Sequence, residues 1–181
     1  MIELLVTIAI AAVLGTLATP SIKEFIIRSK VNSASGDFTS SIVRARNEAA
    51  SKNTCISMCK STNANADSPR CSIDGNDWQV GWILFLNTAC DSSLNSPPTA
   101  ADLLLSRVSN DDQITIISQS NIKKLMFDNR GSVNLASASE FDLLYGNSGS
   151  AESIKYGTNV CLDALGRVRV IPGMKTCSNY K

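Results

Sequence analysis

The chain opens MIELLVTIAIAAVLGTLATP, an almost unbroken apolar run with one carboxylate, Glu3, at its head. That stretch constrains the fold more than any other. From Leu4 to Ala18 only Thr7, Gly15 and Thr16 interrupt it, and its length approaches the roughly 20 residues that carry a helix across a hydrocarbon core. A cleavable export signal reads differently, with a basic segment ahead of the apolar core and an A-x-A site before a polar start. A plain membrane anchor leaves Glu3 unexplained, because an unpaired charge in a bilayer costs about 2.5–3.5 kcal/mol even on insertion scales. Such a carboxylate calls for a cationic partner or for the interface.

The helical pattern continues beyond the apolar run. Ile22, Phe25, Ile26, Val31, Phe38, Ile42, Ala45 and Ala49 recur mostly three and four residues apart, with charges between them, which predicts an amphipathic helix. Pro20 is expected to kink it, since proline lacks an N–H and clashes with the preceding turn. Ser33, Ser35 and Gly36 weaken it, and Asn53 is the expected stop. The organisation expected is therefore a membrane or filament-core half over 1–20, an amphipathic half over 21–53, and a folded head over 54–181.

Composition bounds the chemistry. The chain has 181 residues, 44% hydrophobic and 18% charged, with a formal net charge of +1. That suits one domain with an appendage, and it offers no global attraction for a polyanion, so any electrostatic function is local. There is no histidine, which excludes a Ser-His-Asp centre, a His-ligated metal and a histidine switch. No nucleophile–base pair or glycine-rich phosphate loop is visible, so neither enzyme activity nor a cofactor is expected. Six cysteines, Cys55, Cys59, Cys71, Cys90, Cys161 and Cys177, are even in number and scattered through polar loops, which points to disulfides in an oxidising compartment. The first four lack the paired C-x2-C knuckles of common zinc sites, so no metal is expected.

After Asn53 the periodicity switches to two. Strands are predicted at Thr54–Lys60, Gln79–Leu86, Leu103–Val108, Gln113–Ser118, Lys123–Phe127, Phe141–Tyr145, Ser153–Val160 and Arg167–Ile171. Turn signals such as SNDD, DNRG and YGNSGS separate them. One long helix followed by many short strands predicts an α+β fold, an antiparallel β-sandwich packed on the helix.

The run IELLVTIAI, with Pro20 seventeen residues after Glu3, resembles the N-terminus of type IV pilins and type II secretion pseudopilins. In that family a prepilin peptidase cuts a precursor about two residues upstream of the point where Met1 stands, so a precursor longer than this chain is expected. Glu3 matches the family's acidic residue, which pairs with the N-terminal amine of a neighbouring subunit during assembly. That pairing would supply the missing cation. Pro20 matches the family's helix-kinking proline. Three further blocks, VRARNEAASKNTCISMCKS, NDWQVGWILFLN and CLDALGRVRV, resemble the GspH/FimT branch of minor pilins and pseudopilins. The resemblance implies other pilins as partners, insertion in the bacterial inner membrane with the head in the periplasm, and then a place in the pilus at the cell surface. Lys23, Arg28 and Lys30 after the span would by themselves place the head in the cytoplasm; the cysteines place it on the oxidising side.

Spacing does not determine cysteine connectivity. Cys55 and Cys59 share a strand face but would stand about 13 Å apart on a straight strand, too far to pair. Cys161–Cys177 would close a C-terminal loop like that of many pilins, a closure worth about 3 kcal/mol in the chain-entropy model. Cys59–Cys71 would staple the polar loop between them, leaving Cys55–Cys90. Trp78 and Trp82 are expected in the core rather than on a binding platform.

GRVRV is the one local motif with binding chemistry. On a strand Arg167 and Arg169 share one face while Val168 and Val170 take the other, and Gly166 relieves the turn before them. The segment 161–181 sets Arg167, Arg169, Lys175 and Lys181 against Asp163, and paired guanidiniums suit phosphate oxygens. In the FimT branch a G-R-x-R motif is associated with DNA binding in natural transformation. The resemblance therefore implies double-stranded DNA as a partner, held by Gly166, Arg167, Arg169, Lys175 and Lys181. A solvated edge strand that blocks unwanted pairing explains the same residues. The expected function is a minor pilin, with a type II secretion pseudopilin for protein export as the alternative.

Overall fold

A computed structural model describes residues 2–108, 112–135, 138–173 and 175–177; the side chains of residues 11 and 13–21 fall outside that description. A helix, α1 (Ile2–Lys52), is followed by β1 (Cys55–Lys60), β2 (Gly81–Asn87), β3 (Leu103–Val108), β4 (Ile114–Ser118), β5 (Lys124–Phe127), β6 (Ser139–Tyr145), the short helix α2 (Ala151–Tyr156), β7 (Thr158–Leu162) and β8 (Val168–Pro172). The strands form two sheets, ordered β3-β2-β1-β5 and β4-β6-β7-β8, and every pairing is antiparallel.

Ile27, Val31, Phe38, Ile42, Ala45 and Ala49 of α1 are buried, and their spacing keeps them on one face of a 3.6-residue helix. That face meets both sheets, contributing to a core with Ile56, Met58 and Leu84 from one and Phe141, Leu143, Val160 and Leu162 from the other. Phe38 is fully enclosed. Its ring makes edge-to-face contacts with Trp78 at 5.6 Å, Trp82 at 5.4 Å and Phe141 at 5.1 Å, the geometry that aligns a ring's positive edge with its neighbour's negative face. The indole N–H groups are satisfied as well, Trp82 donating to Ser41 Oγ at 2.9 Å and Trp78 to the Ile122 carbonyl at 2.8 Å. Burying these rings leaves no polar group stranded.

The expected amphipathic face is displaced at its start. Ile22, Phe25 and Ile26 are exposed, and among the described side chains Ile27 is the first of the helix buried against the head. The reason is local: here α1 meets α2 through polar contacts, the ion pairs Lys23–Glu152 and Glu24–Lys155 and the Arg28 guanidinium over the Tyr156 ring. The helix runs through Pro20, Ser33, Ser35 and Gly36 without ending. Tertiary packing outweighs the cost of about 1 kcal/mol for a mid-helix glycine. It stops where Asn53 turns to φ 49° and the Thr54 N–H reaches back to the Ala49 carbonyl at 3.1 Å, a left-handed cap of the kind asparagine tolerates.

Three disulfides close, Cys55–Cys90, Cys59–Cys71 and Cys161–Cys177. The first two hold loops over the far face of β1 and β2, where Cys59, Ala64, Ile83 and Phe85 form a second apolar cluster. Under the same loops the Lys60 ammonium is buried and paired with Asp77 at 2.9 Å, as a buried charge requires. One predicted strand is corrected. Ser153–Tyr156 belongs to α2, because Ser150 caps the helix by accepting the Ser153 N–H at 3.1 Å; Glu152 in the first turn and Lys155 in the last suit the helix dipole. Trp78–Val80 likewise forms a 3-10 turn, so β2 starts at Gly81.

At the other end of the molecule, α1 carries exposed Ile2, Leu4, Leu5, Val6, Ile8 and Ile10. Among the described residues no helix is long and apolar enough to cross a membrane; much of the expected membrane half, 1–20, lies outside the described side chains. Phe38→Ala should lower the unfolding free energy by about 3–5 kcal/mol, measured by urea denaturation followed through tryptophan fluorescence. A loss below about 1 kcal/mol would show that the helix is not keyed into the head through this ring.

Candidate functional site

The basic motif forms the turn and outer strand of the β7–β8 hairpin. All five residues of β7 are buried, whereas β8 is the edge strand of its sheet. Asp163 organises the turn between them. Its N–H donates to the Arg167 carbonyl at 3.1 Å and its own carbonyl accepts the Gly166 N–H at 3.0 Å. Its carboxylate accepts the Arg167 backbone N–H at 2.8 Å and the Arg167 Nε–H at 2.6 Å. Burial pushes the Asp163 carboxyl up, but the backbone and guanidinium hydrogen bonds and the charge of Arg167 outweigh it and hold the group below its ordinary value. Arg167 thus stands at the turn rather than in β8, which begins at Val168, and its guanidinium is half committed to Asp163.

Gly166 is required here twice over. Its φ is +72°, and a Cβ there would lie 2.2 Å from the Gly131 carbonyl oxygen and 3.2 Å from Arg46 Cδ. The turn is therefore pressed onto the Asp128–Val133 loop, to which it is also tied by the Val133 N–H donating to the Ala164 carbonyl at 2.9 Å. Gly131, at φ +79°, sits against the same arginine: a Cβ there would fall 2.9 Å from Arg46 Cγ. Two glycines thus make room for one side chain of α1.

Arg169 pairs in register with Cys161 and is exposed, with no ion pair among the described residues. Val168 packs against the core on the opposite face. Lys175 is exposed, and its carbonyl accepts from Asn159 Nδ2 at 3.0 Å. Beneath this segment Glu140 Oε2 accepts the Cys177 N–H at 3.1 Å, so the C-terminal disulfide and a strand carboxylate anchor the same turn. On the same strand, burial, together with the Glu140 charge and against the Gln119 amide, pushes the Asp142 carboxyl up. Lys181 lies outside the described residues. Glu3 and Pro20 belong to α1, and Glu3 stands about 65 Å along the helix from Arg46 at 1.5 Å per residue. The residues expected to serve assembly and the basic hairpin are therefore two separate regions. Arg46, Arg130 and Gly131 escaped the sequence reading of this surface. The DNRG turn signal marked where the glycine sits, but nothing in the sequence links it to a helix residue so far away in the chain.

The family model described as type II transport protein GspH matches residues 34–166, from the buried half of α1 to the hairpin glycine. The chain belongs to the GspH family. Among solved structures it is similar to the type IV minor pilin FimU of Pseudomonas aeruginosa PAO1 in two crystal forms. One gives a TM-score of 0.61 at 17% identity over 82% of this chain and 92% of that one. The other gives 0.58 at 18% identity over 80% and 94%. The minor pseudopilin EpsH from the type 2 secretion system of Vibrio cholerae aligns at 0.48 and 9% identity over 81% and 98%. No curated protein matches the sequence. The GspH-family chain is a pilin-like protein, a long helix packed on antiparallel sheets.

Gly166→Ala should destabilise the hairpin, because neither the φ nor the 2.2 Å approach to Gly131 tolerates a methyl group; a lowered melting temperature with intact disulfides is the expected result. The Asp163 linkage has a definite sign. A carboxyl held below its ordinary value of 3.8 contributes stability above that pH, and the contribution is lost as pH falls through the lowered folded value. NMR should show the Arg167 Nε–H signal moving in that acid window and nowhere between pH 5 and 8.

Proposed function

We propose that this GspH-family protein is a minor pilin of a type IV pilus, a subunit anchored in the inner membrane through its N-terminal helix and then carried into the filament. The observation that carries the reading is the division of α1. One half is buried in the head, while Ile2–Ile10 present apolar side chains to the surroundings with Glu3 at their start. A row of exposed isoleucines and leucines is stable only in lipid or against other apolar helices, and a filament of like subunits offers the second. Glu3 would then meet the terminal amine of a neighbour, a pairing that removes the cost of an isolated carboxylate. The likeness to FimU supports the pilus; the GspH family description is equally compatible with a type II secretion pseudopilin, and the organelle decides between them.

A second reading is favoured by the hairpin: Arg169 exposed without an acidic partner among the described residues, beside Arg167, on a charged edge. We infer that this edge contacts the phosphates of double-stranded DNA, as the G-R-x-R resemblance suggests.

A cell lacking the gene and complemented with wild type or Glu3→Ala tests the first reading. The wild-type protein should appear in the sheared filament fraction, whereas Glu3→Ala should remain in the membrane. Loss of protein export with normal pili would move the protein to the secretion machinery. For the second reading, the full chain in detergent micelles should shift duplex DNA at low salt, and Arg167→Gln/Arg169→Gln should lower affinity at least tenfold, as expected when two phosphate contacts are lost. Absence of any shift would reduce the arginines to a protected edge.

A further inference from the structure

Arg46 is out of character for its position. It stands on the buried half of α1, is half-buried, and makes no ion pair or hydrogen bond among the described residues. Its stem lies against two glycines from two different loops, with Nε 3.0 Å from where a Gly131 Cβ would stand and 3.4 Å from where a Gly166 Cβ would stand. Any side chain at either position would displace it. The guanidinium therefore emerges where the Asp128–Val133 loop and the β7–β8 turn meet, beside the backbone of the residue preceding Arg167. Exposed Arg130 adjoins the same contact.

The two carboxylates at this contact are hydrogen-bonded, and Glu140, across β7 from Arg169, is held by Asn159 and by the Cys177 N–H. Asp163 holds Arg167, and Asp128 Oδ1 accepts the N–H groups of Arg130 at 2.8 Å and Ser132 at 2.9 Å. Arg46 thus meets the contact that Arg130 and Arg167 flank in sequence, with Arg169 two residues further along the hairpin, and these four arginines outnumber the two carboxylates. A guanidinium whose stem is already confined loses little rotamer freedom on binding an anion.

We propose that Arg46 and Arg130 complete a phosphate-contacting surface with Arg167 and Arg169, with Arg46 as its fixed centre and the backbone of duplex DNA as its ligand. The proposal rests on the DNA reading above. The surface lies about 50 Å along α1 from Ile10, several Debye lengths beyond any lipid headgroup met by the apolar stem. Among the described residues the largely exposed aromatic, Phe25, is on the stem side, so stacking on bases contributes nothing and contact is with the backbone. Recognition should be indifferent to sequence and steep in salt.

The test uses the full chain in detergent micelles and fluorescence anisotropy with a labelled 30-base-pair duplex across a salt series. Wild type, Arg46→Gln, Arg46→Lys and Arg167→Gln/Arg169→Gln run in parallel, each with a thermal melt. Arg46→Gln should weaken binding about fivefold at low salt and make the slope of log affinity against log salt shallower by about one. Arg46→Lys should keep the slope, and both variants should melt like wild type. If Arg46→Gln binds like wild type while the double variant does not, Arg46 has no part in the surface and the DNA reading survives. If Arg46→Gln melts lower and binds weakly with an unchanged slope, its role is packing, and the proposal is overturned. If wild type itself does not bind, the DNA reading fails and the proposal fails with it.

Discussion

The structure depends on one interlock, the insertion of the Phe38 side of α1 between two four-stranded sheets. Phe38, Trp78, Trp82 and Phe141 form a ring cluster in which each element needs the others. Among the described residues neither sheet has another apolar partner of comparable size for its inner face, and the buried half of the helix has no other cover. Burial of such rings is the largest favourable contribution available to a domain this small. The three disulfides act at the periphery, fastening loops over the far face of one sheet and the C-terminal turn over the other. The order is clear: the helix keys the core, and the cross-links secure what the core does not reach.

That interlock leaves one end of the helix unpartnered by the head. Among the described side chains Ile27 is the first of α1 that the head buries, and the ion pairs to α2 mark the rim. Exposed pairs of this kind contribute little energy, so the rim aligns the stem more than it holds it. The opposite end carries the basic hairpin. On the proposed reading, a helix that entered the filament at one end and supported Arg46 at the other would carry the cationic surface well away from the filament core, where a polyanion could reach it.

Legibility followed the range of the interactions. The three-and-four spacing from Val31 to Ala49 reads directly as a buried helix face, whereas the alternation in GRVRV reads as two faces of a strand only for Val168 and Arg169: Arg167 falls in the turn before β8, and Val170 is exposed. Ile22, Phe25 and Ile26 carry the same periodicity yet remain exposed, because periodicity reports amphipathicity and not the place where a partner begins. Ser153–Tyr156 alternates like a strand, but the Ser150 cap makes it helical, a local signal outweighed in the reading by the pattern around it. In the sequence Asp163 is a lone opposing charge; its pairing with Arg167 depends on the turn that brings residues four apart face to face. The meeting of Arg46 with Gly131 and Gly166 could not be read at all. It joins three distant segments, and the glycines announce only that something approaches closely, not what.

The central claim is that the apolar half of α1 packs against other subunits rather than remaining in lipid. A photo-reactive amino acid placed at Leu5, activated in cells bearing filaments, tests it most directly. The account predicts a covalent adduct between this chain and a neighbouring pilin-like subunit, recovered in the sheared filament fraction and lost with Glu3→Ala. Cross-links confined to lipid, with the protein wholly in the membrane fraction, would contradict it.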